Sequence, residues 1–125
     1  MSEKLLIVDD TEMNRRLFRD VLEYHGYEVV EAADGAQGLE MAKIHNPVLV
    51  LLDIQMPVMD GFDTLAALRK DPFLKGVKVI ALTSFAMRGD RERILAAGFD
   101  DYLSKPVAIL ELPGKVREWL KSREG

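Results

Sequence analysis

The 125-residue chain contains no cysteine. That absence excludes a disulfide framework, a zinc–thiolate site and a thiol nucleophile, and it fits a reducing compartment. No run of about eighteen apolar residues occurs, as a membrane span would need, and the apolar part of MSEKLLIVDD is too short for a signal peptide. A cytoplasmic setting without membrane contact is expected. The 17 basic residues are scattered rather than massed, with a formal net charge of −4 and a pI near 5.2, so the electrostatic footprint of a nucleic-acid binder is missing. Repeats, low-complexity tracts and the repeated-acid spacing of an EF-hand loop are absent as well.

What is present is the mix of a globular domain, 48% apolar and 30% charged. The length suits one domain spanning 1–125, with no separate output domain expected. Short apolar runs alternate with segments of helical period. Residues 5–8 read as a strand, and Met13, Leu17, Val21 and Tyr24 then fall on one helical face that Gly26 ends. Residues 28–32 give a second strand, Asp34-Gly35 a turn, and 36–44 a helix stopped by Asn46-Pro47. A wholly apolar strand over 48–52 precedes a helix with Asp60 as N-cap, running to about Lys70. Residues 77–82 form a fourth strand, a helix from about Asp90 ends at Gly98, Tyr102-Leu103 form a brief fifth strand, and a last helix reaches Trp119 and Leu120. Strands this continuously apolar, alternating with helices, predict an α/β fold: a doubly wound, five-stranded parallel sheet.

Ligands of such a sheet bind beyond the carboxyl ends of the strands. The residues expected there are Asp9-Asp10, Asp53, Thr83-Ser84 and Ser104-Lys105-Pro106. Taken singly, Asp10 could cap a helix, Thr83 could end a strand and Lys105 could lie in solvent. Taken together they are harder to explain that way, because two like charges about 4 Å apart repel by roughly 4 kcal/mol at a surface dielectric and call for a compensating cation. An all-oxygen donor set with few carboxylates suits Mg²⁺ better than Ca²⁺ or Zn²⁺. A free oxygen of Asp53 would then attack a phosphoryl group, with Lys105 and the metal neutralising its charge and Thr83 donating a hydrogen bond.

Asp9-Asp10, DIQMPVMDG, Thr83-Ser84 and Ser104-Lys105-Pro106, in this order, resemble the signature of bacterial two-component response-regulator receiver domains of the CheY-like type. The resemblance covers essentially the whole chain and implies a flavodoxin-like strand order, 2-1-3-4-5. It implies Asp53 as phosphoacceptor, Asp10 and Asp53 as side-chain Mg²⁺ ligands, Asp9 acting through metal-bound water, and Gln55 offering its carbonyl. Lys105 would meet a phosphoryl oxygen, the Lys105-Pro106 bond would be cis, and Thr83, Ser84 and Tyr102 would form the switch. The partners implied are a histidine kinase or a histidine phosphotransfer protein and a downstream protein effector, the chain being a monomer or a weak phosphorylation-dependent dimer. FAMRGDRERILAAGFDDYLSKPV and LFRDVLE resemble stand-alone cell-cycle receivers and the receivers of hybrid sensor kinases. By the same analogy, partners would read the face of the fourth helix, fifth strand and fifth helix, or the start of the first helix around Met13, Asn14 and Leu17.

Pro113-Gly114 departs from the family pattern of uninterrupted helix. Because proline costs about 3 kcal/mol or more in a helix interior, the last helix should start late, near 110–112, or kink. Gln55 and Phe85 lie two residues beyond Asp53 and Thr83, where the family tunes acyl phosphate lifetime. Arg88-Gly89-Asp90 is read as a helix start with Asp90 as N-cap, and His25 and His45 as helix-terminal residues. Two other classes fit the residues less well. A haloacid-dehalogenase-type aspartyl-phosphate phosphatase would carry an acid at position 55, and a flavodoxin-like cofactor binder would carry a glycine- and hydroxyl-rich loop where Asp9-Asp10-Thr11 stands. A receiver-like module that acts without phosphorylation is the remaining alternative.

Overall fold

A computed structural model describes residues 3–56, 59–74, 76–84 and 88–122. Five strands alternate with five helices: β1 (Lys4–Val8), α1 (Glu12–Tyr24), β2 (Glu28–Ala32), α2 (Gly35–His45), β3 (Leu49–Asp53), α3 (Gly61–Lys70), β4 (Lys78–Thr83), α4 (Arg88–Ala96), β5 (Asp101–Ser104) and α5 (Leu112–Ser122). All pairings are parallel and the order is β2-β1-β3-β4-β5, so the expected doubly wound sheet is what forms. Among the described residues no helix is long and apolar enough to cross a membrane.

Each strand sends alternate side chains to opposite faces. Leu5, Ile7, Leu49 and Leu51 enter one core with Phe18 and Leu22 of α1 and Leu112, Val116 and Leu120 of α5. Leu6, Val8, Val50 and Leu52 enter the other with Ala42, Leu65, Leu68 and Ile94 from α2, α3 and α4. Every residue of β3 is buried, as a strand covered on both sides requires.

Local signals set the boundaries. Gly26 at φ +95° ends α1 in a paired-bond cap, donating to the Glu23 carbonyl while Tyr27 donates to Leu22. Asp34 caps α2 by accepting the Gln37 amide at 2.8 Å, and Asp60 caps α3 by accepting the Asp63 amide at 3.0 Å. Pro113 falls in the first turn of α5, where its missing N–H costs nothing. The late start expected of that helix is therefore found.

Two expectations need correction. The face of α1 that meets the sheet carries Phe18 and Leu22, whereas Met13, Leu17 and Tyr24 are 71%, 48% and 86% exposed. Leu17-Phe18 and Val21-Leu22 form two adjacent apolar stripes, and the sheet selects the second. Helix α4 begins at Arg88, so Asp90 lies inside its first turn and pairs with Arg93 at 3.6 Å rather than capping the helix. An acid in that position still favours the helix dipole. Strands β3 and β4 also run one residue further than expected, carrying Asp53 and Thr83 as their last residues.

Candidate functional site

At the carboxyl edge of the sheet, β1 gives way to Asp9, β3 ends in Asp53, β4 ends in Thr83 and β5 leads into Lys105. Asp9, Asp53 and Thr83 are all buried, while Asp10 faces solvent. Carboxylate oxygens of Asp9, Asp10 and Asp53 lie within 4.8 Å of one another. The Lys105 ammonium reaches into this group, 2.6 Å from Asp53 Oδ2 and 3.2 Å from Asp9 Oδ2. The expected acids and ammonium thus meet at one place. Lys105 is half-buried in an ion pair rather than loose in solvent.

Backbone groups hold the acids in place. The Gln55 N–H donates to Asp53 Oδ1 at 2.8 Å and the Thr11 N–H donates to Asp9 Oδ1 at 2.8 Å. The Lys105 N–H donates to the Thr83 carbonyl at 2.8 Å, which fixes the start of the lysine loop to the end of β4. The Lys105–Pro106 peptide is cis. Gly61 is needed where α3 passes behind the site, because a Cβ there would lie 2.5 Å from Ile54 Cα and 2.8 Å from the Asp53 carbonyl oxygen. This close approach accounts for the glycine in DIQMPVMDG.

Burial pushes the Asp53 carboxyl above its ordinary 3.8, outweighing the hydrogen bonds from Lys105 and Gln55 that pull it down. Burial would lower Lys105, but the hydrogen bond and charge of Asp53, with Asp9 behind it, hold the ammonium above its ordinary 10.5. Burial thus outweighs the contact at Asp53, and the contact outweighs burial at Lys105. One ammonium among three carboxylates leaves an excess of negative charge, and the donors are all oxygen. Such a set fits a hard divalent cation.

Of the switch residues, Thr83 is buried and Ser84 exposed, and Tyr102 is half-buried against the core on the α3 and α4 side. Pro57 and Phe85 lie outside the described residues. Three contacts escaped the sequence reading. The Gln55 carboxamide oxygen accepts the Ser84 N–H at 2.8 Å, Arg15 Nη1 donates to the Asp9 carbonyl at 2.8 Å, and Asn14 Nδ2 approaches Asp9 Oδ2 at 3.5 Å. A signal for Arg15 existed, since it precedes Phe18 by three residues and so shares the sheet-facing side of α1.

The response regulator receiver domain family matches this chain over residues 5–117. The chain belongs to that family. As a receiver it is a module of two-component signalling, and receivers bind Mg²⁺ in an acidic site of this kind. It is 39% identical over 120 residues to the polar-differentiation response regulator DivK of Brucella ovis, covering 96% of this chain and 98% of the relative. Among solved structures it resembles the CheY-like receiver of Methanospirillum hungatei, with a TM-score of 0.88, 34% identity, and 99% and 98% of the two chains covered. It also resembles the receiver domain of a sensor histidine kinase from Pseudomonas aeruginosa, with a TM-score of 0.87, 34% identity, and 97% and 99% covered. That structure has a magnesium ion coordinated in its active-site cleft.

Proposed function

We propose that this receiver takes a phosphoryl group from a phosphohistidine onto Asp53 and that the resulting charge switches a protein-binding surface. One observation carries the reading: a buried Asp53 at the end of β3 with the Lys105 ammonium 2.6 Å from its carboxylate. In the reaction a carboxylate oxygen of Asp53 attacks phosphorus, the P–N bond of the phosphohistidine breaks, and its electron pair returns to the imidazole. Lys105 meets a phosphoryl oxygen and balances its charge.

Asp10, Asp53 and the Gln55 carbonyl would hold Mg²⁺ directly, with Asp9 acting through a bound water. The ion supplies charge neutralisation for the carboxylates and for the phosphoryl oxygens. The receiver catalyses only its own phosphorylation and dephosphorylation. Gln55, at a position where a phosphatase of the haloacid dehalogenase type carries its second acid, argues against turnover of an external phosphoester.

The phosphodonor is a histidine kinase or a histidine phosphotransfer protein. A cavity of about 330 Å³ beside the site is lined by Asn14, Leu17 and Phe18 of α1 and by Lys105, Pro106 and Val107. With Leu17 of its lining 48% exposed, it suits the apolar face of a donor helix. A phosphoryl group adds nearly two negative charges. Thr83 and Ser84 then turn to it and Tyr102 follows inward, reshaping the face of α4, β5 and α5 for an effector.

Incubation with acetyl phosphate and Mg²⁺, read by intact mass, tests the chemistry. One added phosphoryl group is expected in the unsubstituted chain and none in Asp53→Asn. An unchanged mass, or equal labelling of the variant, overturns the assignment.

A further inference from the structure

Arg15 sits on the sheet-facing side of α1, and only 15% of its side chain is exposed. Its guanidinium makes two contacts in different directions. Nη1 donates to the Asp9 carbonyl oxygen at 2.8 Å, and Nε donates to Glu31 Oε1 of β2 at 3.1 Å. The other oxygen of Glu31 accepts Arg19 Nη1 at 2.9 Å, and Arg19 is in turn paired with Glu23 at 3.3 Å. The arginine is thus aimed by a carboxylate that is itself held.

The carbonyl that Arg15 grips lies just past the sheet. The β1–β2 register ends at Val8 opposite Ala32, and the last bond of that ladder is the Asp9 N–H to the Ala32 carbonyl. From there the Asp9–Asp10 peptide must turn so that two successive carboxylates approach Asp53, although successive residues of an extended chain point to opposite sides. Arg15 holds the oxygen of that very peptide. Thr11 N–H and Asn14 Nδ2 reach the Asp9 carboxylate instead, so among these groups Arg15 alone fixes the peptide plane.

We propose that Arg15 is a positioning residue for the cation site: it orients the Asp9–Asp10 peptide so that both carboxylates converge with Asp53. This deepens the metal reading above and rests on it. Two plainer roles compete, a brace between α1 and β2 and a charge that merely tunes the field. They differ in what substitution does. Arg15→Lys keeps the charge but loses the planar fork, and Arg15→Met loses both.

The test is calorimetric titration of the full chain with Mg²⁺ at fixed ionic strength, alongside melting curves and backbone amide NMR shifts without the ion. Positioning predicts that both variants bind Mg²⁺ about tenfold more weakly, and that the Asp10 and Thr11 amides shift while those of α5 do not. Tighter binding by Arg15→Met with unchanged binding by Arg15→Lys means charge alone and overturns the proposal. Unchanged binding by both with a lower melting temperature means a brace and also overturns it. Should Arg15→Met not fold, Arg15→Lys decides. Absence of Mg²⁺ binding by the unsubstituted chain overturns the metal reading itself, a result distinct from the others.

Discussion

The carboxamide oxygen of Gln55 accepts the backbone N–H of Ser84 at 2.8 Å, while the Gln55 N–H donates to Asp53 Oδ1 at 2.8 Å. One residue therefore ties the loop after β3 to the loop after β4 and to the acid between them. In Gln55→Ala the Ser84 amide loses its acceptor, worth about 1 kcal/mol, so its hydrogen exchange should quicken roughly fivefold. Exchange at Ser84 that is no faster than in the unsubstituted chain would show that the tie does not hold the loop.

Asp53 makes the stability of the metal-free chain depend on pH. Its folded value is raised above 3.8, so between those two values the folded chain binds more protons than the unfolded one, and stability falls as pH rises through that window. The contribution is complete below about pH 4 and is lost above the raised folded value. In EDTA, Asp53→Asn should gain in melting temperature relative to the unsubstituted chain as pH climbs from 4 to 8. Mg²⁺ at a hundredfold excess over its dissociation constant should return about 2.7 kcal/mol to the unsubstituted chain. A gap that stays constant with pH contradicts the burial argument.

The same chemical change should have opposite signs at two glycines. Gly61→Ala drives a methyl against Ile54 and the Asp53 carbonyl, and overpacking of this kind costs about 1–3 kcal/mol. Gly114, in the first turn of α5, has nothing within 4 Å of its notional Cβ, so Gly114→Ala should stabilise by up to about 1 kcal/mol. Urea unfolding of the two variants checks both signs.

Tyr27 supplies an alkaline counterpart. Burial and the charge of Glu3 raise its phenol above 10.0 against the opposing pull of Arg117. Its contribution to stability is fully present below pH 10 and is lost as pH rises through the folded value. Tyr27→Phe should therefore lose less stability between pH 8 and pH 11 than the unsubstituted chain. Equal losses would place the alkaline sensitivity elsewhere.

How much of this was legible in the sequence depended on whether a residue answers to its neighbours in the chain or to a partner far away. The continuous burial of β3, the cap at Asp60 and the late start of α5 at Pro113 follow from local rules, and they stand where those rules put them. Asp9, Asp53 and Lys105 could be brought together because a parallel sheet sends all its strand ends to one edge. The buried face of α1 could not be chosen from Leu17-Phe18 and Val21-Leu22 alone, since only the sheet distinguishes the two stripes. The contact of Gln55 was opaque for a related reason, since its partner is a backbone atom, Ser84 N, and backbone atoms leave no mark in a sequence; for Arg15 the spacing showed the side of α1 but not the acceptor, Asp9 O.

Lys105 and Asp53 are 52 residues apart in the chain, and Lys105 enters from β5, the last strand to be made. A nascent or clipped chain that ends before β5 holds its acids without their ammonium, and its sheet lacks one rim. The acidic edge is thus balanced by its ammonium only once the final strand is in place.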